Sequence, residues 1–244
     1  MKAMVLAAGL GTRLRPLTND RPKALVEVAG RTMLEITLER LRAFAVHDVI
    51  INTHHFANLI PAFLKQHDNF GMHIEISHED LLLDTGGGLK NAEWFFLQDG
   101  KDGPPFLLHN VDVISTIDLA RMVQSHQQEN ALATLAVQAR PTSRPLLFDN
   151  DGQLRSRGSK DALPAQEGMQ ALAFSGIHVL SPRIFPLLSE TGAFSIIDVY
   201  LRLAARGEKI RAFRADQYEW HDLGTPENVT AAARAFAPQP DQTS

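Results

Sequence analysis

Leu6-Ala7-Ala8-Gly9-Leu10-Gly11-Thr12-Arg13-Leu14-Arg15-Pro16, with Pro22-Lys23-Ala24-Leu25 close behind, is the stretch that decides how the rest of the chain is read. The apolar run from Met4 to Ala7 predicts a buried strand, and it empties into a loop whose glycines leave backbone amides uncovered. Amide donors without side-chain cover form an anion-binding nest, and the Arg13 guanidinium adds a bidentate partner for phosphate oxygens. Such a loop can hold a triphosphate. Two familiar phosphate motifs do not fit it. A dinucleotide-binding turn wants a third glycine where Leu14 stands, and no helix runs smoothly through Arg15-Pro16. A P-loop needs a lysine directly behind its last glycine, and none stands there.

Composition narrows the classes. With 244 residues, 44% of them hydrophobic, the chain can build a sizeable core as one large α/β domain or two small ones. A formal charge of −4 without any basic block argues against a nucleic-acid partner, so the basic residues near the loop are local features of a mildly acidic protein. The absence of cysteine excludes disulfides and thiol chemistry. No apolar run reaches the length of a membrane span, and Met1-Lys2 leads straight into the first strand, so the expectation is a cytoplasmic protein without a membrane partner.

Outward from the loop, Thr32 and Glu35 form a capping-box pattern ahead of Leu34, Leu38, Leu41 and Phe44 at helical spacing. Val49 to Ile51 predicts a strand, with Asn52-Thr53-His54-His55 at its carboxyl end, where open sheets place ligands. On an extended segment the adjacent histidines face opposite ways, so one faces a pocket and the other packs, and metal ligation is the weaker reading. A short helix over 58–66 and an alternating strand, His73 to Ser77, follow. Asp84-Thr85-Gly86-Gly87-Gly88 reads as a loop opening onto a helix from Leu89 to Phe96, its glycines permitting close backbone approach to a flat ligand.

Pro105 to His109 predicts a buried strand that delivers Asn110-Val111-Asp112 to its carboxyl end. Asp112, facing the first loop, is placed to hold Mg²⁺. Helix 117–128 and strand 133–139 come next, then a hairpin of Leu146–Phe148 and Leu154–Ser156 around Asn150-Asp151-Gly152, and a mobile polar loop from Arg157 to Gly168. In the strand from Ala171 to Leu180, Gly176 marks either a β-bulge or close approach of the backbone to a ligand. Ser195 caps a helix reaching Ala205, Lys209 to Ala215 is a strand, and Thr225 and Pro226 open the last helix just after Asp222. The end of the chain from Ala235 reads as a frayed tail, flexible over 238–244.

The run Leu-Ala-Ala-Gly-x-Gly-Thr-Arg-Leu-x-Pro-Leu-Thr with its following Pro22-Lys23 resembles the signature of the sugar-1-phosphate nucleotidyltransferases. Trp220-His221-Asp222-Leu223-Gly224-Thr225 resembles that family's Trp-x-Asp-x-Gly-Thr motif, and Thr85-Gly86-Gly87-Gly88 its muramate branch. The resemblance implies a doubly wound, mostly parallel α/β sheet with a small β-rich subdomain covering the sugar. It implies one domain over 1–237, with 1–140 mainly nucleotide-binding and 141–237 mainly sugar-binding. An NTP and a sugar-1-phosphate would be the partners, Mg²⁺ the cofactor, and the chain a monomer or homodimer.

By the same resemblance Leu6, Ala7, Ala8, Gly9, Gly11, Thr12, Arg13, Lys23, Gly87, Gly88 and Asn110 meet the nucleotide. Asn110, Ser175, Gly176 and Arg157 meet the sugar, and Asp112 and Asp222 hold the metal. Arg13 stabilises the leaving pyrophosphate and Lys23 the attacking and α-phosphate oxygens. The chain departs from the family in having Ala24 after Lys23 and in lacking a Glu-Lys-Pro segment. Lys160 and Arg157 lie near that place, and Arg202 is a substitute by type alone. His54, His55, Arg144 and Arg157 are the candidates for a carboxylate on the sugar. The alternative of another class is a nucleotide-binding regulatory module without turnover; the presence of both carboxylates and both basic residues weighs against it.

Overall fold

The structure, a computed structural model, describes residues 1–158 and 168–236. Lys160, most of the loop expected between Arg157 and Gly168, and the flexible tail expected over 238–244 lie outside those residues, while Ala235, expected to begin the frayed end, lies within the last helix. Strands β1 (Lys2–Leu6), β2 (Glu27–Val28) and β3 (Arg31–Thr32) precede helix α1 (Met33–Ala43), and β4 (Asp48–Thr53), α2 (Leu59–Gln66) and β5 (His73–His78) follow. Helices α3 (Asp84–Asn91) and α4 (Glu93–Phe96) lead to β6 (Phe106–Asn110), β7 (Val113–Ser115), α5 (Leu119–Glu129) and β8 (Ala133–Gln138). The remainder is the hairpin β9 (Leu146–Asp149) and β10 (Leu154–Arg157), the long strand β11 (Met169–Leu180), α6 (Ile196–Ala205), β12 (Ile210–Arg214), β13 (Trp220–Asp222) and α7 (Pro226–Phe236).

β1 is the sheet's organising strand. It pairs in parallel with β4 on one side and β6 on the other. Its alternate residues enter two different cores: Ala3 and Val5 join Leu34, Leu38 and Leu41 of α1, while Met4 and Leu6 join Phe96, Phe106 and Tyr200 on the opposite face. A strand buried on both faces needs apolar residues throughout, which is why it reads as a continuous run rather than an alternation. The expected doubly wound α/β arrangement is what the chain adopts. The sheet runs β12-β8-β11-β6-β1-β4-β5, parallel from β6 to β5 and between β8 and β12, with β11 antiparallel to both its neighbours β6 and β8. The β9–β10 hairpin continues the sheet along the first third of β11.

The capping box at α1 is present: Glu35 N–H donates to Thr32 Oγ1 at 3.1 Å and the Thr32 N–H to Glu35 Oε2 at 3.3 Å. Ser195 caps α6 and Asp118 caps α5. Two local readings differ from expectation. The glycine run is not a loop ahead of a helix; α3 starts at Asp84, and Gly86, Gly87 and Gly88 are buried in its first turns. Their reason is helix packing. A Cβ at Gly86 would meet the Phe194 ring at 2.5 Å, one at Gly87 the Gly192 carbonyl at 2.6 Å, and one at Gly88 the Glu79 carboxylate at 2.6 Å. The second difference is β7, a short strand directly after Asp112 that pairs antiparallel with β13.

Candidate active site

The functional elements gather at the carboxyl ends of β1, β4 and β6, the edge at which open α/β sheets bind ligands. The loop after β1 turns through Gly11, whose φ of 63° is left-handed, into a short 3-10 turn at Thr12–Leu14. Thr18 holds it from beneath, donating its hydroxyl to the Gly11 carbonyl at 2.8 Å. Pro22 then starts a second 3-10 turn, Lys23–Leu25, so Lys23 points back across the loop. Its ammonium reaches the Asp112 carboxylate at 3.1 Å, with both side chains largely buried. A Cβ at Gly9 would stand 3.3 Å from Lys23 Nζ, so the glycine is what lets the lysine lie there.

Asp222 arrives by backbone pairing. β13 lies against β7 with Asp222 opposite Val113, and the Leu223 N–H donates to the Asp112 carbonyl at 2.8 Å. The backbones of two aspartates more than a hundred residues apart in sequence thereby lie on neighbouring rungs. The Gly224 N–H donates to Asp222 Oδ1 at 2.9 Å. A Cβ on Gly224 would lie 2.8 Å from Arg13 Nη2 and 2.9 Å from that Asp222 oxygen, so the glycine opens the gap in which Arg13 approaches the carboxylate. Among the described residues no cluster of three or more histidine, aspartate or glutamate side chains could hold a metal ion.

A cleft of about 340 Å³ runs from these groups along the sheet edge. Leu6, Ala8, Gly9, Lys23, Asn110 and Asp112 line its inner part; Asn52, Glu79, Leu82, Asp84 and Thr85 line its far end. A smaller recess of about 200 Å³ opens between Gly11, Thr12, Arg13 and Gly224 and shares Gly9, Lys23 and Asp112 with the cleft. Sequence reasoning did not single out Glu79. It is 2% exposed, and a relay binds it: the Ala7 N–H donates to Asn52 Oδ1 (2.7 Å), Asn52 Nδ2 to Glu79 Oε1 (2.8 Å), and the Leu83 N–H to Glu79 Oε2 (2.9 Å). The relay ties the start of the phosphate loop to the approach to α3, a satisfied polar network of the kind that fixes geometry. Its one sequence signal is Asn52 at the end of β4.

The amides of Gly86 and Gly87 both donate to the Phe194 carbonyl, at 2.9 and 3.3 Å. Asp84 and Thr85, not Gly87 and Gly88, reach the cleft wall. Ser175 is fully buried and its hydroxyl has no partner among the described residues, while its carbonyl accepts the Trp220 indole N–H at 2.8 Å. Gly176 has φ 75° at a break in the β11–β8 register, so the bulge is real; a Cβ there would strike Val113 Cγ2 at 2.8 Å and Asn110 Nδ2 at 3.1 Å. Arg157 is paired with Asp198 at 2.9 Å and Arg202 with Glu190 at 2.7 Å, each away from the cleft. His54 Nδ1 is bonded to the Glu79 carbonyl, exposed His55 meets the Phe56 ring at a tilt, and Arg144 is exposed. A cation that sequence reasoning passed over lies nearer: Arg140, stacked on Trp220 beside Asp222.

A glycine loop with Arg13, Lys23, Asp112 and Gly224 on one recess forms the candidate site. Residues 2–239 match the nucleotidyl transferase family, and the chain belongs to it. It is 35% identical to the N-acetylmuramate α-1-phosphate uridylyltransferase of Caulobacter vibrioides over 96% of each chain. With the UTP–glucose-1-phosphate uridylyltransferase of Synechocystis sp. it shares 27% identity over 96% of its own length but only 63% of that protein's. Among solved structures it resembles HddC from Yersinia pseudotuberculosis, complexed with GMP-PN, with a TM-score of 0.76, 23% identity, and coverage of 96% of this chain and 99% of that one.

Proposed function

We propose that the protein transfers a uridylyl group from UTP to N-acetylmuramate-1-phosphate, giving UDP-N-acetylmuramate and pyrophosphate, in the cytoplasmic recycling of cell-wall sugar. The observation that carries the reaction class is the convergence of Arg13, Lys23, Asp112 and Gly224 on one recess, with Asp222 bonded to Gly224 beside it. The sugar assignment rests on the likeness to a relative of the same length, against the longer glucose-1-phosphate enzyme.

A phosphate oxygen of the sugar phosphate attacks the α-phosphorus in line, and the bond to the β-phosphate oxygen breaks. No covalent enzyme intermediate is needed. Such a reaction asks the protein to neutralise phosphate charge and align two oxygens, so positioning and electrostatics carry it. The loop amides from Ala8 to Thr12 cradle the phosphates, and Arg13 takes the charge developing on the leaving pyrophosphate. Lys23 moves its ammonium from Asp112 toward the α-phosphate and attacking oxygens. Leu6, Ala7 and the Asn52–Glu79 relay set the floor of the nucleoside end. Gly87 and Gly88 let α3 close on it, and Asn110 stands where nucleotide and sugar meet. Ser175 and Gly176, within residues 141–237, belong to the sugar side, whereas Arg157 is held by Asp198.

Asp112 and Asp222 suit Mg²⁺: both are hard oxygen donors, they are neighbours through the β7–β13 rungs, and two carboxylates leave room for substrate phosphates. When bound, Mg²⁺ would supply Lewis-acid charge at the reacting phosphates. The two carboxylates would hold the ion, and Lys23 pairs with Asp112.

Pyrophosphate release measured with UTP, dTTP, GTP and CTP against a panel of sugar-1-phosphates tests the reading. The expected result is highest kcat/KM for UTP with N-acetylmuramate-1-phosphate, above N-acetylglucosamine-1-phosphate, which lacks only the lactyl ether. Equal values for the two sugars, or preference for GTP with mannose-, heptose- or glucose-1-phosphate, would replace the sugar assignment. Tight NTP binding without turnover of any pair would identify a regulatory module.

A further inference from the structure

Arg140 stands two residues past the end of β8, half-buried, and its guanidinium carbon lies 3.7 Å from the centroid of the Trp220 ring. Its Nη2 donates to the Phe174 carbonyl at 2.7 Å, while Trp220 Nε1 donates to the next carbonyl, that of Ser175, at 2.8 Å. Both side chains are thus pinned to the β11 bulge at Gly176, and the guanidinium is fixed flat against the indole. A stacked guanidinium keeps its in-plane N–H groups for a planar anion while its face is occupied, a task to which lysine is unsuited.

The charge of Arg140 is not matched by an ion pair. Arg155, Arg157, Arg202, Arg211 and Arg214 each hold an aspartate or glutamate within 2.9 Å. Arg140 has only a backbone carbonyl; its Nε is buried without a partner, and no acceptor meets Nη1 among the described residues. Burial lowers its pKa, and the nearby Asp222 carboxylate partly offsets that. A desolvated, oriented cation short of anionic partners is costly unless a ligand completes it. Arg140, Trp220, Asp222 and Asn228 line an open recess of about 360 Å³ that shares no lining residue with the nucleotide cleft. Asp222 is part of its lining and Lys23 is not.

We propose that Arg140, held on Trp220, binds an anionic oxygen of the acceptor sugar. The proposal rests on the reading of the protein as a sugar-1-phosphate nucleotidyltransferase. It gives that reaction the sugar-side cation that Arg157 and Arg202, committed to Asp198 and Glu190, do not provide. The anion is either the 1-phosphate common to all acceptors or the lactyl carboxylate of a muramate.

The chain has two tryptophans, and Trp94 is an exposed residue of α4, so Trp94→Phe leaves Trp220 as the sole indole reporter. In that background, N-acetylmuramate-1-phosphate and N-acetylglucosamine-1-phosphate are titrated without nucleotide while Trp220 emission is followed, and steady-state kinetics run in parallel. Arg140→Met should abolish the fluorescence response. Arg140→Lys, which keeps the charge and the fold, should raise the sugar-phosphate Kd and KM about tenfold or more, as loss of a charge-assisted bidentate contact implies. The KM for UTP should stay within about twofold, because only the recess changes. Loss confined to the muramate, erasing its preference over the glucosamine, assigns the anion as the carboxylate; equal loss for both assigns the phosphate. Unchanged sugar-phosphate binding in Arg140→Lys, or a wild type whose Trp220 responds to no sugar phosphate, overturns the proposal. A wild type that gives the response and turns over nothing overturns the reaction reading alone.

Discussion

The two sides of the proposed active site, nucleotide and acceptor, are built in opposite ways. The nucleotide side comes from one short stretch: β1 and the loop behind it carry Gly9, Gly11, Arg13 and Lys23 within a couple of turns of chain. The acceptor side is assembled from residues remote in sequence: Asp112 beside β7, Arg140 past β8, the Gly176 bulge of β11, and Trp220 and Asp222 of β13. A contiguous loop keeps its geometry through local hydrogen bonds. An assembled side keeps it only through strand pairing and the contacts that lock strands together.

The largest effect should come where the sides meet. Asp112→Asn and Asp222→Asn should each lower kcat by roughly 10³-fold at saturating Mg²⁺, because each removes a charge proposed to hold the ion; Asp112→Asn should also lower Tm, since it leaves the largely buried Lys23 ammonium without its partner. Near wild-type turnover by either variant would take that carboxylate out of the site. Arg13→Ala should cost roughly 10²-fold in kcat, the usual loss for one charge-stabilising donor, with little change in the sugar-phosphate KM. An effect on that KM alone would move Arg13 to the acceptor side.

A pair of glycine substitutions separates the sides more finely. Gly88→Ala forces a Cβ to 2.6 Å from Glu79 Oε1 and 2.8 Å from Asn52 Nδ2; Gly176→Ala forces one onto Val113 in a left-handed conformation. Each should destabilise the fold by about 1–3 kcal/mol in urea melts, the ordinary cost of overpacking. The first should raise the KM for the NTP and the second the KM for the sugar phosphate. A rise in the same KM for both would dissolve the distinction between the sides.

Acid should separate them as well. The buried histidines, His109, His126 and His178, all belong to β6, α5 and β11. Burial, with a lesser contribution from His109, holds His178 down to about 3; burial, then Arg40, holds His109 down to about 4. Because the unfolded chain takes up these protons near pH 6.5 and the folded chain does not, the stability they contribute is complete above that pH. It is lost as pH falls toward 4 and then 3. On the order of 1–3 kcal/mol per histidine is at stake. Hydrogen exchange at pH 4.5 should show protection falling first in β6, β8 and β11, with β1, β4 and β5 following. His178→Gln, which can keep a hydrogen bond to the Tyr200 hydroxyl, should flatten the pH dependence. A uniform loss of protection would mean that the sheet opens as one unit.

Much of the fold was legible because its signals are local. The capping box at Thr32 and Glu35, the Ser195 and Asp118 caps, and the all-apolar β1 each follow from residues within a turn or a strand of one another. The glycine run from Gly86 to Gly88 misled for the opposite reason. Glycine ordinarily disfavours helix, and only the distant Gly192–Phe194 backbone and the Glu79 carboxylate explain why α3 starts with three of them. Likewise β7 is three residues long and has no pattern of its own until β13 lies beside it.

By itself, then, the sequence determined the parallel core of the sheet and the glycine loop behind β1, and its family resemblance named Arg13, Lys23, Asp112 and Asp222 as candidates. It could do so because hydrophobic period, caps and a dense motif act over short distances. The tertiary structure alone decided that Asp222 stands next to Asp112, that Glu79 anchors the floor through Asn52, and that Arg157 and Arg202 are spent on Asp198 and Glu190. It also decided that Arg140 rests on Trp220. An ion pair, a stacked ring or a shared rung depends on which strands become neighbours, and that is fixed by packing across the whole sheet rather than by the residues on either side in the chain.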